Sequence, residues 1–181
     1  MEAPRMRTTS TLTCHLSIMA LSLFLTACSD TKETEDGHLI FPAQIEEILN
    51  TEMHDRTIAN KAMEYIRLSE DYSPETFEAQ QRQAIAQMTP DIRQRALDYL
   101  PTRVQQTVSQ NISNSVSLDP YSAVLGKVKW GDQVRANLRI ESDNVMTVDG
   151  QRSSRRVAYT LNILIYNLDD IQYQTLGVGA P

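Results

Sequence analysis

The spacing of hydrophobic residues divides the chain into a helix-forming part followed by a strand-forming part. Between residues 43 and 113, apolar side chains recur at helical intervals. A Ser-Pro pair at 73–74 and a Thr-Pro pair at 89–90 each place a residue that can cap a helix before a proline that fits its first turn. Pro101 is expected to break or kink the last helix. The pattern predicts three or four helices joined by short turns, with the first interruption around residues 54–57.

The pattern then changes to the alternation of apolar and polar residues that is typical of half-buried strands. It is clear in "DQVRANLRIES" and strongest in "RVAYTLNILIYN", while "WGD", "VDG" and "NLDD" indicate turns. Helices followed by consecutive strands predict an α+β domain, with the helices packed on an antiparallel sheet of four to five strands. Trp130 is expected in the core or as a loop anchor.

One face of the strongest predicted strand is neither plainly polar nor plainly apolar. Mixed faces of this kind line pockets, meet protein partners, or are half covered by another element, and the alternatives stay open. The residues on this face are Ala158, Thr160, Asn162, Leu164 and Tyr166.

The N-terminal segment has the features of a bacterial secretion signal. Residues 1–27 combine two arginines, a short apolar stretch and small residues before Cys28. The apolar part is shorter than the roughly 20 residues that a comfortable membrane span needs. "LTAC" resembles the lipobox, in which Cys28 becomes the lipidated first residue. The alternative is an uncleaved membrane anchor. Either way, we expect the remainder on the periplasmic side of a bacterial membrane, with the outer or inner membrane left open.

Charge separates the segment after Cys28 from the rest of the chain. The chain carries a formal net charge of −6, and removing Glu2, Arg5 and Arg7 with residues 1–27 leaves −7. The acidic surplus lies in the N-terminal half, so residues 28–42 are interpreted as an acidic tether and residues 43–181 as a single domain. A basic cluster of the kind that binds nucleic acid is missing from this pattern, so no direct nucleic-acid contact is predicted.

The sequence offers few residues in patterns that carry chemistry. His38 and His54 fit no standard zinc spacing, and the sequence has neither a glycine-rich phosphate loop nor a nucleophile-elbow motif. We therefore predict no catalytic, cofactor-binding or metal-binding residues and no cofactor. The one basic cluster comprises Arg152, Arg155 and Arg156. It is a candidate for binding an acidic partner, or alternatively a charged loop that protects the following hydrophobic strand from edge pairing.

Several stretches in this order resemble the TraE-like proteins of conjugative type IV secretion, relatives of the periplasmic "VirB-eight" scaffold proteins. The similar stretches are "ANKAMEYIRLSEDYSPETFEAQ", "SNSVSLDPYSAV", "VDGQRSSRR" and the "YxLxI" pattern at Tyr159, and the resemblance covers roughly residues 38–178. It implies the nuclear-transport-factor-2-like fold, in which helices wrap a curved sheet. It also implies a non-catalytic scaffold that self-associates and binds other channel subunits. The lipobox departs from that family, which keeps an uncleaved inner-membrane helix.

Three functions are therefore considered. The first is a membrane-tethered assembly subunit of a conjugative channel, which forms homo-oligomers and binds other subunits. The second is a periplasmic lipoprotein whose α+β domain holds a small ligand or lipid in an apolar pocket. The third is a small hydrolase or isomerase, which would need a buried carboxylate with a shifted pKa.

Overall fold

Helices and strands follow one another along the chain in the predicted order. The structure is a computed structural model that describes residues 31–33 and 37–181. The predicted signal segment and Cys28 lie outside these residues. The helices are α1 (Pro42–Asn50), α2 (Glu52–Glu70), α3 (Phe77–Ala86) and α4 (Pro90–Ser109). None of the helices in this part of the chain combines the length and apolar composition that crossing a membrane requires.

The strands form one large antiparallel sheet and one small two-stranded sheet. The small sheet pairs β1 (Lys32–Glu33) with β2 (Leu39–Ile40). The large sheet has the order β3-β5-β6-β7, and β4 pairs with the first half of β5. The α+β prediction is thereby confirmed, including the number of helices and strands. The strands of the large sheet are β3 (Ser113–Leu118), β4 (Val124–Trp130), β5 (Gln133–Val148), β6 (Gln151–Ile165) and β7 (Ile171–Gly179).

A long hairpin of β5 and β6 forms the centre of the sheet. Its two strands pair continuously from Val134 opposite Ile165 to Val148 opposite Gln151. The turn residues Asp149 and Gly150 both have positive φ, at 50° and 80°, as a two-residue Asp-Gly hairpin turn requires. The sequence suggested two shorter strands here and a charged loop at residues 152–156. The structure corrects this, because cross-strand pairing carries β5 and β6 through both polar stretches.

Three local predictions for the helices need correction. The first break falls at Thr51, between α1 and α2, and not at residues 54–57. Helix α3 begins at Phe77, since Ser73 and Thr76 bond to each other in a preceding turn. Pro101 lies inside α4, which continues to Ser109. The proline ring removes one helical hydrogen bond, and the helix is not broken by that loss.

The core lies between α2 and the inner face of the sheet. Side chains of both elements are fully buried there, and the rings of Tyr65 and Tyr173 stack at 3.9 Å. Each fully buried aliphatic side chain contributes about 1.5–3 kcal/mol relative to exposure. A smaller cluster joins α3 to α4 through Phe77, Ile85 and Leu100. The buried residues that form the inner face of the β5–β6 hairpin are Val134, Ala136, Leu138, Ile140, Val157, Tyr159, Leu161, Ile163 and Ile165.

Candidate interaction surface

The three arginines of the basic cluster do not form one patch. They lie in the first half of β6, where alternate side chains face opposite sides of the sheet. Arg156 donates to Glu141 at 3.0 Å and lies within 4 Å of two further carboxylates, Asp119 and Asp143. The hydrogen bond to Glu141 and these charges raise the pKa of Arg156. Its charge is therefore largely balanced within the chain.

Arg152 has a different environment from Arg156. Its guanidinium forms no ion pair or hydrogen bond with any residue that the structure describes. It lies on the rim of an open cleft of about 520 Å³ beside strand β3. Hydroxyl and amide side chains dominate this cleft, so it would accept a polar or anionic group better than an apolar one. The other lining residues include Ser73, Thr76, Gln80, Ser113, Ser115 and Thr147.

A polar cluster lies inside the domain, near the C-terminal end of α2, and includes the partly buried carboxylate of Glu70. Burial raises the pKa of Glu70, and the charges of Arg103 and Arg155 oppose that rise. Burial also raises the pKa of Tyr159 to about 12, although its hydroxyl accepts a hydrogen bond from Asn144 at 2.5 Å. The pattern search along the sequence missed Glu70, because one carboxylate in a helix gives no signal of its burial.

Other hydrogen bonds within this cluster tie the sheet to the helix. Asn114 of β3 donates to the backbone carbonyl of Glu70 at 2.5 Å. Ser142 donates to Asn144 at 2.7 Å, and Asn144 donates onward to Tyr159. The side chains thus fix the end of α2 against β3, β5 and β6. Buried polar groups that bond one another in this way contribute to a unique packing arrangement.

The face of the sheet that points away from α2 is the outer sheet face. On strand β4 it carries Val124, Gly126, Val128 and Trp130, and their neighbours on β5 are Arg139, Asn137, Arg135 and Gln133. The fractional exposures of Val124, Val128 and Trp130 are 64%, 57% and 56%. The expectation that Trp130 is a core residue or loop anchor is therefore wrong. Its parity on β4 places it on the outer face, where the described residues leave it more than half exposed.

Trp130 and Arg135 form the most distinctive contact of the outer sheet face. The guanidinium of Arg135 lies 4.1 Å from the centre of the indole ring. Such a cation–π contact contributes roughly 0.5–1 kcal/mol at an exposed site. The guanidinium of Arg135 makes no ion pair or hydrogen bond to another described residue, and its Nε is buried without a partner. It therefore retains a donor and a charge for a further group.

A shallow depression lies beside this contact. It has a volume of about 320 Å³, and Gly126, Val128, Arg135 and Asn162 are among the residues that line it. A methyl group added at Gly126 would meet no atom within 4 Å, so the missing side chain leaves open space. Below the depression, Asn137 donates to Asn162 at 2.7 Å, and Asn162 donates to Thr175 at 2.6 Å. These bonds hold the polar floor in place across three strands.

The segment that precedes α1 covers the outer sheet face at the β6–β7 turn, in the same row across the strands as Trp130. The ring of His38 stacks on Tyr166 at 4.2 Å, and its Nδ1 donates to Asp170 at 2.5 Å. Asn167 donates to the carbonyl of Leu39 at 2.8 Å, and Ile40 is buried. The mixed face noted in the sequence is thus half covered. Tyr166 meets the N-terminal segment, whereas Asn162 is exposed to solvent.

The described residues contain no cluster of side chains that could bind a metal ion. Within residues 31–33 and 37–181, no three His, Cys, Asp or Glu side chains come together as a metal-binding group. A third cleft, of about 490 Å³, lies between α2 and β7 and has both polar and apolar lining residues. The three clefts described here are open to solvent, whereas a lipid-binding site requires a deep apolar pocket.

Comparison with known proteins relates the chain to others by fold. No protein-family model and no curated protein matches the sequence. A periplasmic fragment of TraM is similar, with a TM-score of 0.53, 4% identity, and coverage of 70% of this chain and 98% of that chain. CagV, a VirB8 homolog of the type IV secretion system from Helicobacter pylori strain 26695, has a TM-score of 0.48 and 11% identity, covering 70% and 98%. The VirB8 protein of Agrobacterium tumefaciens has a TM-score of 0.49 and 14% identity, covering 73% and 96%. At these identities, what the chain shares with the TraM fragment is its α+β fold.

Proposed function

We propose that this protein is a membrane-tethered periplasmic assembly subunit of a conjugative type IV secretion channel. It acts by binding other channel subunits and by self-association, and not by catalysis. The observation that carries the proposal is the fold shared with the periplasmic fragment of TraM, which extends over nearly all of that fragment. The order of sequence stretches that resemble TraE-like proteins supports it independently.

The surface of the domain also suits a binding role. An exposed tryptophan stands beside an arginine on the outer sheet face, and interfaces favour both residue types over the remaining surface. The described clefts are open and mixed in polarity, which fits protein contacts better than enclosure of an apolar ligand. Of the basic cluster, Arg152 is the arginine most available to a partner, with Arg155 and Arg156 contributing less because their charges face Glu70 and Glu141.

Membrane attachment through Cys28 is part of the proposal. The sequence "LTAC" supports cleavage before Cys28 and lipidation of its thiol. Three acyl chains at the N-terminus would anchor the protein stably, since two chains already suffice. A membrane helix that stays uncleaved is the alternative, and the experiment below distinguishes the two.

The proposal is tested by photo-crosslinking in the native host. A photoreactive residue at position 152 is expected to capture channel subunits, whereas one at Glu78, exposed on α3, serves as the control position. Cys28→Ser is examined beside wild type. A Cys28→Ser protein that stays unprocessed or leaves the membrane, beside a processed wild type, would show that the cysteine is lipidated, whereas a full-length mass for both proteins would show an uncleaved helix.

Two results would contradict the assembly role. One is crosslinking that yields no channel subunit from either position. The other is normal conjugative transfer by a host that lacks the protein. Either result, with Cys28 lipidated, would favour the ligand-binding lipoprotein.

A further inference from the structure

We propose that the outer face of β4 binds an extended, acidic segment of a partner protein. The segment adds a strand to the free edge of β4 and places a carboxylate against Arg135. This inference rests on the proposed function only in that the partner would be a channel subunit. The surface itself is argued from the edge, the depression at Gly126 and the charge of Arg135.

Strand β4 has a free edge. It pairs with β5 on one side, and its backbone forms no hydrogen bond to any other described element. The other outer strands are partly capped: Tyr72 exchanges two backbone hydrogen bonds with Asn114 of β3, and Tyr173 of β7 bonds to Gln87 and Thr89. An unpaired edge is a template for an added strand.

The lysines of β4 do not protect this edge on its outer face. Lys127 points to the inner side, where it donates to the carbonyl of Ile48 and pairs with Asp55. Lys129 pairs with Glu46 of α1. Both ammonium groups are thus held against α1 and its neighbour α2. The outer face keeps only valines, a glycine and a tryptophan along β4.

The depression gives the added strand a place for one side chain. A residue paired with Gly126 would meet no side chain there, because Gly126 has none and its surroundings are open. Strands lie about 4.8 Å apart, so the added strand would lie about 10 Å from β5. Gly126 and Arg135 both line the depression, so a glutamate that extends over Gly126 enters the space that Arg135 borders. The valines on either side would pack against apolar residues of the same segment.

Charge decides that the segment is acidic. Arg135 lacks an ion pair among the described residues, so its positive charge is unbalanced on this face. Arg139, on the same face, lies 3.5 Å from Glu141, so its charge is partly balanced. A carboxylate would accept a charge-assisted hydrogen bond from the terminal guanidinium nitrogens of Arg135. A basic segment would meet repulsion at the same place.

The test uses the full chain purified in detergent and two synthetic probe peptides. In one, valine alternates with glutamate over about seven residues, a usual strand length. In the other, lysine replaces glutamate. Fluorescence anisotropy should show that the glutamate peptide binds. The lysine peptide should bind at least about tenfold more weakly than the glutamate peptide. Hydrogen exchange should show new protection of the β4 amides when the glutamate peptide is bound.

Two variants and two matched controls test the site. Gly126→Leu fills the depression, and Arg135→Gln removes the charge. Each variant should therefore bind the glutamate peptide about tenfold more weakly than wild type does. Gly179→Leu is the control for the first, since Gly179 lies on the outer face of the opposite edge strand with equally open surroundings. Arg95→Gln, on α4, is the control for the second. If Gly126→Leu fails to fold, Arg135→Gln still tests whether the glutamate peptide binds at this site.

Three outcomes would overturn the inference. Equal binding of the two peptides would exclude charge recognition, and unchanged binding by both variants would exclude this site. Sedimentation that shows a wild-type dimer and a Gly126→Leu monomer would assign the edge to a second copy of the chain. The peptide assay needs no channel, so a failure of peptide binding would not affect the crosslinking test of the assembly role. Likewise, a failure of crosslinking would not affect the peptide result for β4.

Discussion

His38 connects the segment before α1 to the turn between β6 and β7. Its ring stacks on Tyr166 while Nδ1 bonds to Asp170, and its Nε2 lies 3.2 Å from Gln172. The sequence presented this histidine only as a residue without a metal partner. Its environment shows a packing role that depends on residues about 130 positions away, which no local pattern contains.

Asp170→Asn tests this role of His38. Loss of the carboxylate weakens the bond from Nδ1, so the free energy for local opening of residues 37–41 should fall by about 1 kcal/mol. Hydrogen–deuterium exchange of that segment measures the change. Asp169→Asn, at the neighbouring position, should leave the exchange unchanged. Equal exchange in the Asp170 variant and wild type would show that the stacking on Tyr166 holds the segment without the carboxylate.

Glu70 gives the domain a pH-dependent component of stability. Its pKa is raised by burial in the folded state, so the folded protein binds a proton more tightly than the unfolded chain does. Stability from this group is fully present below the ordinary glutamate pKa and is lost as the pH rises through the raised value. Glu70→Gln should therefore reduce the loss of stability with rising pH. Urea unfolding over a pH series checks this, with Glu64→Gln, exposed on the same helix, as the control. Parallel curves for Glu70→Gln and wild type would contradict it.

At the scale of elements, the turn at Asp149–Gly150 sets the register of the long hairpin. Gly150 has φ of 80° and no atom within 4 Å of an added methyl group, so only backbone conformation opposes a side chain there. Gly150→Ala should destabilise the domain by about 1 kcal/mol. Gly126→Ala, in the same sheet with open surroundings and without a positive φ, is the matched control. Thermal unfolding measures both, and equal midpoints would show that the turn adapts at no cost.

Sequence periodicity predicted the hairpin strands well where one face is apolar. It predicted the short strand and turn of "VMTVDG" but failed at the polar residues 143–144 and 151–155, because alternation no longer distinguishes a strand from a loop there. Those residues stay in the sheet because each strand supplies the hydrogen-bonding partner of the other. A similar limit applies to β3, which follows a polar helix end and has the sequence "SNSVSL".

At the scale of the whole molecule, the order of helices and strands was predictable and the surface was not. The apolar spacing gave the layers, since each helix and strand must bury one face. The exposure of Trp130 was not predictable, because it depends on β4 being an outer strand that only β5 accompanies. Strand parity places Arg155 on the face opposite that of Arg152 and Arg156, which would have been predictable had residues 152–156 been interpreted as a strand.

The position of His38 also fixes the distance between the segment before α1 and the tip of the β5–β6 hairpin. The segment before α1 is held at the β6–β7 turn, and the Asp149–Gly150 turn lies at the other end of β6, which has 15 residues. At about 3.3 Å per residue, these ends are separated by roughly 45 Å. If the N-terminus is anchored in a membrane, β6 separates the hairpin tip from the tethered end of the domain. A subunit bound to the Asp149–Gly150 turn would be held at a nearly constant distance from the segment before α1, where the tether joins the domain.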